Sequence, residues 1–213
     1  MPEGETVRGS TRGAEGTTRR PADPRPADAR VPAPDAAGGD APLRLVIRTD
    51  GAARGNPGPA SCGGVLIDAS RPDAREPDAE PLAVIARPLG VRTNNVAEYA
   101  GVVLALRLAH RLGAREVDLV LDSNLIVEQL TGRWRVRDAK LKGLFDEAQR
   151  LLGGFQRWSA THEPRARNRA ADALANLALD DPEAATVAEQ RYRLPGQAPA
   201  TDRRTGERRR AGL

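Results

Sequence analysis

Between Leu43 and Asp180, short apolar runs bounded by turn residues alternate with stretches of helical period, whereas both flanks lack either pattern. Leu43 to Asp50, Cys62 to Asp68 and Pro81 to Leu89 read as three successive strands, the first two joined by the turn Gly55-Asn56-Pro57-Gly58. Consecutive strands of this kind favour an antiparallel meander. Ser70 to Pro81, where charges alternate with prolines, reads as an enlarged hairpin loop with no evident chemical purpose. Asn95 to Leu112 is apolar on most faces and stops at Gly113, which predicts a largely buried helix. Val117 to Leu121 predicts a buried strand, and Leu125 to Leu130 a short helix closed by Gly132. Leu141, Leu144, Phe145, Ala148, Leu151 and Leu152 then recur at helical spacing, in a helix that begins near Asp138 and ends at Gly153-Gly154. Phe155 to Thr161 predicts a fifth strand, and Asn168 to Leu179 a last helix halted before Pro182. The order β-β-β-α-β-α-α-β-α is that of a mixed α/β domain.

Composition sets the limits of that domain. Residues 1–42 are mostly Pro, Ala, Gly, Arg and Asp, too poor in large apolar groups to offset the entropy of ordering, so a disordered segment is expected. Residues 181–213 have a similar make-up and predict a disordered basic tail, in which Arg208, Arg209 and Arg210 would add weak, salt-sensitive affinity for phosphates. One domain, residues 43–180, is left to carry the chemistry. Lys and Arg number 33 against 29 Asp and Glu. An excess of four fits a polyanionic partner and equally a merely solvated surface. The single Cys62 excludes an internal disulfide, and no Cys and His cluster has zinc-site spacing. No run reaches the roughly 20 apolar residues of a membrane span. A cytoplasmic monomer without a protein partner is the expectation.

Acids supply the candidate chemistry. Leu45-Val46-Ile47 leads to Asp50 and Leu119-Val120-Leu121 leads to Asp122, so each apolar run delivers a carboxylate towards its carboxyl end, where ligands of open α/β sheets collect. If the two strands are parallel neighbours, the aspartates must share a proton or bind a cation. Magnesium takes few carboxylates plus water and phosphate oxygens, which suits an oxygen-only set. Each acid also has a local explanation. Asp50-Gly51 fits a turn, Glu98 a capping interaction three residues after Asn95, Asp122 and Ser123 a helix cap, and Asp172 an ion pair with Arg169.

Four motifs, in order, make residues 43–180 resemble type 1 ribonuclease H, in the shorter form of archaeal and actinobacterial members. Thr49-Asp50-Gly51-Ala52-Ala53-Arg54-Gly55-Asn56-Pro57-Gly58 is similar to the first, Thr93-Asn94-Asn95-Val96-Ala97-Glu98 to the second and Asp122-Ser123-Asn124 to the third. His162, followed by Asn168 and Ala171-Asp172, resembles the histidine loop and last acid. The resemblance implies a ribonuclease H-like fold, a five-stranded mixed sheet flanked by helices. It implies Asp50, Glu98, Asp122 and Asp172 as catalytic metal ligands for two Mg2+ ions, with Mn2+ as a substitute, and His162 in proton transfer or product release. The reaction implied is two-metal-ion hydrolysis of the RNA strand of an RNA/DNA hybrid, leaving 5′-phosphate and 3′-hydroxyl ends.

Gly51, Asn56, Asn94, Asn124, Asn168 and Trp134 are the implied substrate contacts. Amides that donate and accept suit a ribose 2′-hydroxyl, while Asn56 and Asn95 equally suit left-handed turn geometry. The larger bacterial members carry an extra basic helix where this chain has only Thr131 to Arg137. Arg133, Trp134, Arg135 and Arg137 would form a reduced grip on phosphate and sugar, with Trp134 equally suited to anchoring the core. The rival readings are a noncatalytic nucleic-acid-binding module and a different nuclease on the same fold.

Overall fold

A computed structural model describes residues 41–192. The segments 1–40 and 193–213, with the arginines 208–210, lie outside the described residues. Five strands and five α-helices follow the predicted order, with one helix added: β1 (Arg44–Ala53), β2 (Gly58–Asp68), β3 (Ala83–Arg92), α1 (Asn94–Arg111), β4 (Glu116–Leu121), α2 (Asn124–Leu130), α3 (Ala139–Leu152), β5 (Arg157–His162), α4 (Arg169–Asp180) and α5 (Pro182–Arg191). The strands form one mixed sheet in the order β3-β2-β1-β4-β5. β1 pairs antiparallel with β2 and β2 with β3, as a meander does, whereas β1–β4 and β4–β5 are parallel. None of the described helices is long and apolar enough to cross a membrane.

Alternation along β1 assigns each face its layer. Leu45 and Ile47 join the large core with Leu66, Ile85, Leu106, Leu119, Leu121 and the helices α1, α2 and α3. α1 is buried on most of its faces, between sheet and α3, which is why its pattern is apolar all round. Val46 points the other way, into a smaller cluster with Val65, Ile67, Val84 and Val120. α4 lies on that second face. A Cβ on Gly63 would sit 2.3 Å from both the Ala171 carbonyl oxygen and the Ala175 nitrogen, so only glycine lets α4 rest directly on the β2 backbone.

Three expectations change. β1 continues past Asp50 to Ala53, because Gly51, Ala52 and Ala53 stay paired with Cys62, Ser61 and Ala60. The loop of residues 69–82 is a cover for the second face, since Ala74 and Ala79 are buried against Val46, Val65, Ile67, Val84 and Val120. The expected end of order at Asp180 lies too early. Asp181 caps α5 by accepting from the Ala184 N–H, Ala185 is buried, and Glu189 accepts the edge-strand N–H of Ala86 at 2.9 Å while pairing with Arg87. An alanine-rich helix acquires order here through tertiary contacts that its own composition does not announce.

Truncation after Asp180 therefore exposes Ala86 and Ala178 and strips the acceptor from the β3 edge. Comparing residues 41–180 with 41–192, we expect a loss of about 1–3 kcal/mol for the shorter chain in urea unfolding. Equal midpoints would show that α5 contributes nothing.

Candidate active site

The register of the parallel pair brings the first two acids together. Its last paired position is Ile47 with Leu119, and three residues further along each strand direction stand Asp50 and Asp122. Asp50 is only 5% exposed and sits inside the ladder opposite Gly63, not in a turn. The N–H of Gly51 donates to its Oδ1 at 2.8 Å, whereas its Oδ2 is buried without any donor.

Glu98 arrives because the first turn of α1 closes on Gly51. A Cβ at Gly51 would lie 2.3 Å from the Glu98 nitrogen, so this glycine is the contact surface on which the helix seats. Thr93 caps α1, its Oγ1 accepting from the Val96 N–H, and Glu98 is freed from the capping role its spacing suggested. Its carboxylate accepts from Asn94 Nδ2 at 2.7 Å, and the Asn94 N–H donates to Asn56 Oδ1 at 3.2 Å. The two motif asparagines thus form a chain from the β1–β2 turn to the acid.

Asn168 holds the opposite side. Its Nδ2 donates to the Thr49 carbonyl at 2.9 Å and to Asp122 Oδ1 at 3.0 Å, and the residue is 2% exposed. It was expected at the substrate. The structure commits its side chain inside the protein, where it ties β1 to Asp122. Gly51, likewise buried, faces α1 and not open solvent. Asp172 lies in the first turn of α4, and its partner is Arg165 rather than Arg169, with Asn176 Nδ2 donating at 3.2 Å. The Arg165 guanidinium also reaches to 4.0 Å from Asp50 Oδ2 while its side chain remains 73% exposed.

Crowding shows in the proton affinities. Burial, then repulsion from Asp122 and the nearby Asp172 carboxyl, pushes Asp50 up to about 7. Burial raises Glu98 too, with Asp122 adding to the effect and a hydrogen bond from Ser123 opposing it. Asp172 is lowered, chiefly by its bond to Arg165. As they stand, no three Asp, Glu, His or Cys side chains among the described residues already converge on a common ion, and Arg165 lies between Asp172 and Asp50. The donor chemistry nevertheless fits a hard divalent cation: Asp122 and Asp172 act on Asp50, Asp122 acts on Glu98, the donors are all oxygen, and Asp50 Oδ2 is buried and unpartnered.

The remaining expected residues lie on other parts of the domain's surface. His162 ends β5, exposed and paired in register with Leu121, one residue before Asp122. Asn124 opens α2 and is exposed, as is Asn56. Trp134 is 49% exposed, which settles it as a surface residue rather than a core anchor. It lines a shallow cavity of about 390 Å³ with Arg133, Arg135 and Arg137. Arg133 is held by Glu128 at 2.9 Å, while Arg135 and Arg137 have no acidic partner among the described residues. Sequence reasoning missed Arg165 and Ser123. The only signal for Arg165 was its place in a Pro-Arg-Ala-Arg stretch leading to the last acid.

The raised Asp50 value sets a sign. The folded state keeps a proton to about 7 that an unfolded aspartate releases near 3.8, so this group stabilises the metal-free fold below 3.8 and loses that contribution as pH rises through 7. Melting temperatures of the metal-free wild type and Asp50→Asn, measured from pH 5 to pH 8, are expected to diverge, the variant gaining on the wild type as pH rises. A constant difference would mean that Asp50 titrates normally.

A family model described as "Reverse transcriptase-like" matches residues 48–178. The chain is 44% identical over 138 residues to a bifunctional protein of Mycobacterium tuberculosis, covering 65% of this chain and 36% of that protein. It is 46% identical over 132 residues to ribonuclease HI of Halobacterium salinarum, covering 62% of each. The chain thus spans about a third of the first relative's length and less than two thirds of the second's. The crystal structure of the halobacterial RNase H1 superposes with a TM-score of 0.59 at 44% identity, over 65% of this chain and 98% of that one. LC11-RNase H1, solved in complex with an RNA/DNA hybrid, gives 0.58 at 34% identity over 65% and 98%. With its five-stranded mixed sheet and flanking helices matching the halobacterial fold, the chain belongs to the ribonuclease H family.

Proposed function

We propose that this chain is an endoribonuclease that hydrolyses the RNA strand of RNA/DNA hybrids, leaving 5′-phosphate and 3′-hydroxyl ends, with Asp50, Glu98, Asp122 and Asp172 as its metal ligands. The observation that carries the reading is the buried, donorless Oδ2 of Asp50 among three further acids brought in by β4, α1 and α4. When bound, two divalent cations, magnesium or manganese, supply an activated water and neutralise charge at the scissile phosphate and the departing oxygen. Arg165 is well placed to give way, since its exposed side chain needs only a rotation to release Asp172 and Asp50. Asn168 keeps Asp122 aimed at the cluster throughout. His162, exposed beside Asp122, delivers a proton to the leaving 3′ oxygen or helps the product depart.

Selection of RNA falls to Asn56 and Asn94 with Asn124, amides able to donate to and accept from a 2′-hydroxyl. Arg135 and Arg137, free of acidic partners among the described residues, meet phosphates while Trp134 packs on sugar or base. The solved hybrid complex of LC11-RNase H1 supports a hybrid as the partner class.

The test is cleavage of a labelled RNA/DNA hybrid beside single-stranded RNA and duplex DNA, with magnesium or manganese. Asp122→Asn is expected to lose roughly a hundredfold or more in kcat, since one carboxylate of a metal cage cannot be replaced by an amide. Wild type and variant acting alike, or hybrid binding without metal-dependent cutting, would favour the noncatalytic reading. Trp134→Ala is expected to raise KM by roughly three- to tenfold with kcat retained. Replacing Arg135 and Arg137 by alanine should lower the salt slope of hybrid affinity by about one per residue. An unchanged slope would remove them from the interface.

A further inference from the structure

Arg48 is the largest fully buried side chain among the described residues, a guanidinium 1% exposed in the middle of β1. Burying a cation so completely is unfavourable unless its donors are satisfied by fixed partners. Its partners come from the loop of residues 69–82 and from residues 163–167 between β5 and α4. Nη1 donates to Glu163 Oε2 at 3.1 Å and to the Arg167 carbonyl at 3.3 Å, and Nη2 to the Arg75 carbonyl at 2.7 Å. Nε is buried without a partner. Arg167 reinforces the assembly, its Nε donating to Glu163 Oε2 at 3.2 Å and its Nη2 to the Arg75 carbonyl at 3.3 Å. The side chain of Arg75 in turn reaches Asp118 on β4.

The residues held are those that precede the site. Glu163 follows His162, and Arg167 precedes Asn168, the residue that donates to Asp122. Residues 163–167 therefore form an arch gripped at both ends from beneath by one planar fork. The loop of residues 69–82 is its outer jaw.

We infer that Arg48 is a positioning residue that, clamped against the loop of residues 69–82 through the Arg75 carbonyl, fixes the 162–168 arch and so holds His162 and Asn168 in register with the acids. The inference rests on the proposed hydrolase reading for its catalytic consequence. A planar guanidinium binds two carbonyls and a carboxylate at set angles, which a packing residue of equal volume does not. Apolar replacement of a buried ion often leaves global stability unchanged or improved. Stability and positioning are therefore separable here.

The experiment uses the full chain with Arg48→Met and, separately, Glu163→Ala. Three quantities are measured: melting temperature, kcat and KM on the RNA/DNA hybrid, and the rate of trypsin cleavage after Arg165 and Arg167 followed by mass spectrometry. For both variants we expect kcat to fall roughly tenfold or more while KM moves by less than about threefold, because a displaced group affects the transition state more than binding. We expect trypsin cleavage within the arch to quicken by roughly tenfold, reporting local opening, with little change in melting temperature for Arg48→Met and a lower one for Glu163→Ala, which leaves the buried guanidinium without its carboxylate. A kcat within about threefold of wild type, or cleavage of the arch at the wild-type rate, overturns the assignment. Should Arg48→Met fail to fold, Glu163→Ala decides alone, assayed below its own melting temperature, since Glu163 is partly exposed. Digestion reads the clamp whatever the substrate. A wild-type protein inert on hybrids would sink the proposed function, and an unprotected arch would sink the clamp.

Discussion

Mutual repulsion among carboxylates is the constraint around which this domain is organised. Asp50, buried in a strand beside Asp122 and Asp172, is held up to about 7 by burial and like charge, and nothing donates to its Oδ2. Left to themselves, such groups would move apart or rotate to water. They stay because the backbone beneath them has no freedom. Gly51 seats the first turn of α1 and Gly63 seats α4, each at a distance that a Cβ would forbid. Two acids thus come from helices pressed onto glycine and two from parallel neighbours in the sheet, and no one of them can retreat without unseating an element.

The two faces of the sheet share this task unequally. The face under α1, α2 and α3 holds the large aliphatic core, which supplies the hydrophobic stabilisation a strained polar edge needs. The opposite face is thin, with few valines, several alanines and a loop as its cover. There the buried groups include Arg48 and Asp118, partnered by Glu163, Ser159, Arg44 and Arg75. Directional hydrogen bonds replace bulk on the face that carries Asp50. That substitution is consistent with a layer whose purpose is to fix angles.

Much of this was legible in the sequence. Two apolar runs of the same shape each lead to an aspartate and would bring the two together if parallel neighbours, a condition that the β1–β4 pairing meets, with Asp50 and Asp122 each three residues past its last pair. Helix periods and glycine stops located the helices to within a residue or two. What stayed hidden depends on contacts far apart in the chain. Arg48 reads as an outward residue of β1 until residues 69–82 and 163–167 cover it. α5 lacked large apolar residues, and it folds because Ala185 and Glu189 meet the β3 edge. Asn168 looked like a polar group for substrate because nothing local shows that Thr49 and Asp122 already claim its amide.

Recognition of a polyanion by a chain with an excess of only four positive charges has to come from placement. Most of the arginines around the fold are paired in place: Arg44 and Arg75 share Asp118, and Arg54 pairs with Asp180, Arg87 with Glu189, Arg107 with Glu147 and Arg157 with Glu116. Paired charges of this kind contribute little field at a distance. Arg135 and Arg137 lack such partners among the described residues and flank an exposed tryptophan. On the proposed hydrolase reading, this cationic, aromatic surface and the acidic cluster divide the two demands of the reaction between them. In that reading the first attracts a nucleic acid backbone, and the second repels it until cations intervene. Binding and cutting then depend on different residues and respond differently to salt, which is the behaviour expected when affinity is electrostatic and catalysis is geometric.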